Sequence, residues 1–190
     1  MMQESKKIEI EFRSRFDLVK YQELKRFLRK NAKDLGEDNK SAYFFLFPDK
    51  LLKVVNNISK KNTKIVMKLN KIGKGSDFEE IEIPISQEYF EKTARIFISL
   101  KTGDFMRSFQ KRHNYSYKGI ELALKWSKVW GYHLELEKVV ETIGEKTSAE
   151  KRIFEVAKEL KIKLMTDKEL RIFTEKAEKK YKKSHRNGNN

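Results

Sequence analysis

An α+β fold is predicted for this sequence: a closed antiparallel barrel of eight strands with helices packed outside. Three observations predict it. First, charged residues recur at every second position of strand-like runs, which puts each set on one face of its strand. Glu9, Glu11 and Arg13 lie opposite Ile8, Ile10 and Phe12, and Glu135 and Glu137 lie opposite Leu134 and Leu136. Lys64 and Lys68, Glu80 and Glu82, and Arg112 extend the pattern to the strands between. Second, several amphipathic helices interrupt and follow the strands, and each needs an apolar sheet face to cover. Third, the stripes mix acids with spaced bases. The plain reading of such stripes is a solvated outer face. A closed sheet with charges inside and helices outside satisfies both the stripes and the helices, and closure at about eight strands leaves an interior wide enough for side chains or one small ligand.

The elements follow in order. After IEIEFR, Asp17 caps a helix in which Leu18, Leu24, Phe27, Leu28 and Leu35 recur at helical spacing until Gly36 stops it. KSAYFFLF, closed by Pro48, then KLLKVVNN, NTKIVMKL and DFEEIEIPI read as an antiparallel meander, the last two joined by a hairpin at Gly73 and Gly75. Ser86 caps a second helix carrying Tyr89, Phe90, Ala94, Phe97 and Ile98, and Gly103 returns the chain to strand. DFMRSFQKRHNY, KGIELALK and GYHLELEKVV supply three more strands. Two capping boxes, Thr147 to Glu150 and Thr166 to Glu169, announce closing helices.

At 190 residues the chain suits one domain, read here as residues 1–183, with barrel strands within 4–142, helices within 148–183 and a disordered tail at 184–190. The net charge of +15 favours a polyanionic partner: nucleic acid, anionic membrane or a phosphate-rich small molecule. Cysteine is absent, which excludes disulfides and thiol chemistry, and three scattered histidines exclude a histidine-based metal site. Any metal is therefore a hard, oxygen-liganded one. The opening MMQESKK has no apolar segment of a signal peptide, and no apolar run spans a bilayer. A cytoplasmic protein with no membrane partner, monomeric or homodimeric, is the expectation.

The carboxylate pairs repel one another unless metal ions or basic side chains neutralise them. At these residues the chain resembles the CYTH family, the triphosphate tunnel metalloenzymes that include class IV adenylyl cyclases and thiamine triphosphatases. The family's opening Glu-x-Glu-x-Lys matches Glu9, Glu11 and Arg13, with arginine in place of lysine. Its pair of arginines falls on Lys53 and Val55, its next lysine on Lys68 and its acidic strand on Glu80 and Glu82. Its Lys-x-Arg strand falls on Gln110 and Arg112, with Tyr115 nearby; its aspartate falls on Lys125, and its closing Glu-x-Glu is intact at Glu135 and Glu137.

The resemblance implies a tunnel that binds a nucleoside, organic or inorganic triphosphate and cleaves a phosphoanhydride bond. Arg13, Lys53, Lys68, Glu80, Glu82, Arg112 and Lys125 would form the substrate-binding wall, with arginine offering bidentate geometry and lysine a point charge. Glu9, Glu11, Glu135 and Glu137 would be the catalytic carboxylates and would hold Mg²⁺ or Mn²⁺. Attack by water gives a triphosphatase; attack by the ribose 3′-hydroxyl of ATP gives cyclic AMP. A polyphosphate or nucleotide binder without catalysis is a further reading. Lys125 has two readings of its own: it forms an ion pair with Glu135 or Glu121, or it grips the phosphate chain.

Other signals carry less. Gly73 and Gly75 lack the strand-to-helix context of a phosphate loop. His133 as a lone histidine is more often structural, and Trp126 and Trp130 more often pack than stack a base. Tyr43, Phe44, Phe45 and Phe47 read as core. The helix from Thr166 to Lys183 docks through Leu170, Phe173, Ala177 and Tyr181, leaving Lys168, Lys176, Lys179, Lys180 and Lys183 to solvent. That surface suits weak, non-specific nucleic-acid binding, with no recognition motif behind it.

Overall fold

The computed structural model describes residues 8–69, 77–101 and 104–186. Among them the strands are β1 (Ile8–Phe16), β2 (Lys33–Glu37), β3 (Lys40–Leu46), β4 (Leu51–Asn57), β5 (Asn62–Lys68), β6 (Asp77–Ile85), β7 (Asp104–Tyr117), β8 (Ile120–Ser127) and β9 (Gly131–Val140). The helices are α1 (Leu18–Asn31), α2 (Phe90–Ser99), α3 (Lys146–Glu159) and α4 (Asp167–Arg186). No described helix is long and apolar enough to cross a membrane.

Strand alternation sorts the chain into two faces. On the outer face, Ile10, Leu122, Leu124, Leu134 and Leu136 pack with Leu24 and Leu28 of α1 and with Ile153 and Val156 of α3. A second cluster sets Tyr43, Phe45, Leu52 and Val54 against Phe90 and Ala94 of α2. Each such side chain contributes about 1.5–3 kcal/mol when fully buried, which is why helices cover this face and the charged stripes turn the other way. The expected inside and outside are therefore the right way round.

All the described pairings are antiparallel, in the order β7-β3-β4-β5-β6-β1-β9-β8, and β8 returns to β7 over Gln110–Tyr117. Closure is uneven. Among the described residues β1 meets β6 over three pairs, Ile8 to Ile10, and β7 passes from β3 to β8 at Gln110. Eight strands thus form a curled half-barrel with an open seam, in place of the evenly closed cylinder expected. Beyond the described β6 pairing, the Arg13 carbonyl accepts from the Met165 N–H at 2.8 Å, which brings the segment before α4 to β1.

Local signals held at some element ends and failed at others. Asp17 caps α1 by accepting from the Lys20 N–H at 2.9 Å, and Thr166 and Glu169 form the reciprocal box that starts α4. The first helix, however, stops at Asn31, and β2 replaces its expected last turn. Leu35 mimics the helical spacing but sits on β2 and is exposed, while Gly36, at φ +86°, serves a bulge between Asp34 and Gly36 against β7. Long-range pairing overrode the periodicity. Ser86 opens a single 3-10 turn at Gln87–Tyr89, and its hydroxyl bonds Glu88 at 3.1 Å rather than capping backbone. The box before α3 is made by Thr142 and Glu145, five residues earlier than Thr147 and Glu150. α4 runs on through Arg186, past the expected start of the tail at 184. The turn at Gly73 and Gly75, Gly103 and residues 187–190 lie outside the described residues, as do the side chains of Lys180 and Lys183.

Candidate functional site

The concave face of the half-barrel encloses a cavity of about 610 Å³. Alternation delivers its lining: Glu9, Glu11 and Arg13 from β1, Lys53 from β4, Lys68 from β5, Glu80 and Glu82 from β6, Arg112 from β7, Lys125 from β8, and Glu135 and Glu137 from β9. The fold thus brings to one cavity every residue expected on the substrate-binding and metal-holding walls. Among the described residues nine acidic and nine basic side chains line the cavity, so the excess of +15 lies elsewhere on the chain.

These charges are organised around a few hubs. Lys68 contacts Glu9 at 3.3 Å and Glu11 at 3.4 Å and also pairs with Glu80, and these three acids raise its pKa against the effect of burial. Arg13 pairs with Glu11 and reaches Glu135 at 3.1 Å. Glu135 also pairs with Lys125 and lies 3.9 Å from Arg112, and these cations hold its carboxyl well below the usual range despite burial. Burial pushes the Lys125 ammonium down to about 7, against the pull of Glu135. Lys53 has no ion-pair partner among the described residues; burial, then nearby Lys68, lowers it to about 8.

Glu137 behaves differently from Glu135. Burial, followed by Glu9 and Glu11, pushes its carboxyl up to about 8. Glu9 and Glu11 are paired with Lys68 and Arg13, whereas Glu137 has no ion-pair partner among the described residues, and its oxygen donors suit a hard divalent ion. The present side-chain positions do not form a coordination shell: among the described residues no three of His, Cys, Asp or Glu are grouped to hold a metal. Glu9 and Glu11 are turned to Lys68 and Arg13, and Glu135 to Lys125.

Asp38 was not legible as a site residue. It is 2 % exposed, lies 2.8 Å from Lys40, 3.1 Å from Arg112 and 3.5 Å from Lys60, and is bonded by Asn57 and, at 3.3 Å, by Asn114. These contacts keep it ionised and hold Arg112, which also donates to Asn114 at 2.7 Å, against the wall. Its place between two strands carries no periodic signal. Phe44 parts from its neighbours: it packs on the inner cluster of Ala42, Val55 and Val66 and lines the cavity, while Tyr43 and Phe45 join the outer core. Strict alternation along β3 contained that information. Val55 and Gln110 line the cavity as well. His133 is buried, lies beside Gly131 O at 3.1 Å and is lowered to about 3 by burial, which fits a neutral structural role.

α4 crosses one end of the cavity. Phe173 packs edge-on against Trp130 at 4.9 Å and lies under Arg15, Tyr181 accepts from the Arg107 N–H at 3.0 Å, and Thr174 and Glu178 face inward. The docking stripe expected for this helix is the one observed.

The family model of the CYTH domain matches residues 7–173, nearly the whole of this architecture. The chain belongs to the CYTH family. Its CYTH fold is shared with a conserved hypothetical protein of Pyrococcus furiosus, at 23% identity and a TM-score of 0.65, covering 82% of this chain and 91% of that one. A protein of Vibrio parahaemolyticus with a provisional adenylate cyclase name matches at 11% identity and a TM-score of 0.62, covering 85% and 91% of the two chains. A Hippeastrum protein, provisionally an adenylyl cyclase and described as having a dominant triphosphatase activity, matches this CYTH chain at 18% identity and a TM-score of 0.56, covering 83% and 89%. No curated protein matches by sequence.

Proposed function

We propose that the cavity binds a triphosphate-bearing ligand together with Mg²⁺ or Mn²⁺ and that the protein hydrolyses a phosphoanhydride bond. One observation carries this reading: inward-facing Lys53, Lys68 and Arg112 share one cavity with the carboxyl groups of Glu9, Glu11 and Glu137, the last without an ion-pair partner among the described residues. Because lining acids and bases are equal in number, a polyanion finds no surplus of positive charge unless cations arrive with it.

In this reading Arg112, braced by Asp38 and Asn114, presents its guanidinium to phosphate oxygens, and Lys53 and Lys68 add point charges from the neighbouring strands. Glu9, Glu11 and Glu137 would hold the metal, with Glu135 joining only when released from Lys125. A bound divalent ion supplies charge neutralisation and orients the attacking oxygen. The positions of the bases across the cavity keep the phosphate chain extended along the wall, which favours in-line displacement. The return of β8 to β7 supports reading the half-barrel as a tunnel around that chain.

The test is product analysis. The protein is incubated with tripolyphosphate, thiamine triphosphate or ATP and with Mg²⁺ or Mn²⁺, and products are resolved by phosphorus NMR. Release of phosphate and a diphosphate is the expected result. Cyclic AMP with pyrophosphate would assign the chain to the cyclases, and binding without turnover would make it a binder.

A further inference from the structure

Of the nine basic side chains that line the cavity among the described residues, eight stand within 4 Å of a carboxylate oxygen; Lys40 and Arg112 at Asp38, Lys64 at Glu82 and Lys125 at Glu135 are among them. Lys53 is the ninth. No acid among the described residues comes within ion-pair distance of its ammonium, although nine acidic side chains line the same cavity. The register shows why. Lys53 stands opposite Phe44 of β3 and Val66 of β5, with Leu51 and Val55 two residues away on its own strand, all on the inward face. Ala42, Val55 and Val66 pack on one another with Phe44 against them, so they form a dry bed beside the lysine.

A lysine in such a place is disfavoured as an ammonium, because burial removes its hydration and no paired carboxylate replaces it. Burial acts first and Lys68 on β5 next; Glu80 on β6 and Glu9 and Glu11 on β1 pull the other way from beyond ion-pair distance, and the balance lies at about 8. Roughly a quarter of Lys53 is therefore free amine at pH 7.5, against about one part in a thousand for an ordinary lysine near 10.4. Lys125 is lowered further, but its ion pair with Glu135 holds a proton on it and removes it as a nucleophile. An unpartnered amine that opens on a cavity of about 610 Å³ is the arrangement by which desolvated lysines attack carbonyl carbon.

We propose that Lys53 is a covalent site for a small aldehyde, which its Nζ captures as an imine on the inner wall. The Nζ lone pair attacks the aldehyde carbon and the carbonyl π pair moves to oxygen, after which a proton passes from nitrogen to that oxygen through solvent. The resulting carbinolamine takes a second proton on its hydroxyl and loses it as water, the nitrogen pair forms the C=N bond, and the remaining N–H proton returns to solvent. One water is released, and nothing is oxidised or reduced. The neutral imine costs the dry wall less than the ammonium does. An aldehyde with an aromatic body suits the place, since partly buried Phe44 lines the cavity in the same row. This site goes beyond the triphosphate reading and does not depend on it, because it uses the amine and no phosphate contact. A bound polyanion would hold the proton on Lys53, so the two ligands exclude one another.

The native protein is treated at pH 7.5 with a small excess of salicylaldehyde, imines are fixed with sodium cyanoborohydride, and the added mass is located by proteolysis and mass spectrometry. Lys53 should be modified at an initial rate about tenfold or more above that of exposed lysines such as Lys168 and Lys176 of α4. Its rate should level off above about pH 8, while theirs keep rising towards pH 10. Modification that favours the exposed lysines, or a Lys53 rate that rises in step with theirs to pH 10, would overturn the site. Lys53→Arg keeps a cation at the position and should abolish the fast adduct while the surface adducts persist; a fast adduct in that variant would place the nucleophile elsewhere. The mapping on the native protein needs no variant, so it decides the matter even if the substitution unfolds the chain. Tripolyphosphate binding is measured separately, so either site can fail while the other stands.

Discussion

Lys125 and Glu135 form an ion pair inside the half-barrel, made diagonally between neighbouring strands: Lys125 stands opposite His133, and Glu135 opposite Ala123. Their side chains are 6% and 12% exposed. With Arg13 on the other carboxylate oxygen at 3.1 Å, Glu135 is already neutralised by the protein. Glu137, two residues on, is not. One Glu-x-Glu pair thus splits into a carboxylate locked in the wall and one left among other acids.

Lys125→Met is expected to release one oxygen of Glu135 and raise Mn²⁺ affinity roughly tenfold, a difference of about 1.4 kcal/mol. Calorimetry with Mn²⁺ alone reads this directly. Unchanged Mn²⁺ affinity with weakened tripolyphosphate binding would mean that Lys125 serves the phosphates instead.

Arg112→Ala removes a guanidinium held at 3.1 Å from Asp38 and aimed into the cavity. Loss of a charge-assisted contact costs on the order of 1.5–3 kcal/mol, so tripolyphosphate should bind tenfold or more weakly. A folded variant with native affinity would place the phosphates elsewhere.

Glu11→Gln acts mainly on stability. Glu11 is 6% exposed and answers both Arg13 and Lys68, so neutralising it leaves buried cations short of an acid. Breaking a buried pair in this way costs about 3–5 kcal/mol, toward the lower figure here because the amide keeps one acceptor. Urea unfolding of the metal-free protein measures it. A stability equal to the parent's would show that these pairs contribute nothing.

Glu137→Gln should have the opposite sign and a pH signature. The folded carboxyl titrates at about 8, the unfolded one near 4.3, so between these values the native state holds a proton that the unfolded state has released. Stability therefore falls as pH rises through this window. The variant lacks that fall and should be the more stable protein at pH 8 without metal, by a few kcal/mol at most. Parallel curves for the two proteins from pH 5 to 8 would refute the shift.

Lys53→Met tests the neighbouring wall. The folded ammonium titrates at about 8 and the unfolded one near 10.4, so the unfolded state binds more protons between them and stability rises with pH over that interval. The variant should lose this rise, gain on the order of 3 kcal/mol or less at pH 7, and bind tripolyphosphate more weakly. Thermal melts at pH 7 and 10 and calorimetry at pH 7 give both readouts.

Local patterning determined much of this molecule. Alternation alone put Glu9, Glu11, Lys68, Glu80, Arg112 and Glu135 on inward faces, because a strand's two faces follow from its period of two and the apolar face must meet the helices. Asp17 and the Thr166–Glu169 box marked helix starts, since caps are made within four residues. The family motif followed from the same residues. What lies between distant segments was decided by tertiary structure. Leu35 looked helical until β7 claimed its backbone, and Asp38, with Lys40 beside it in the chain, met Asn57 and Arg112 only when β4 and β7 closed around it. The bond from the Met165 N–H to the Arg13 carbonyl likewise joins segments far apart in the chain. Which bases neutralise Glu135 depends on the order β1-β9-β8: Lys125 reaches it across the β8–β9 hairpin, ten residues away, and Arg13 only through the pairing of β1 with β9, more than a hundred residues away. Periodicity assigns a side chain to a face; the pairing of strands assigns it a partner.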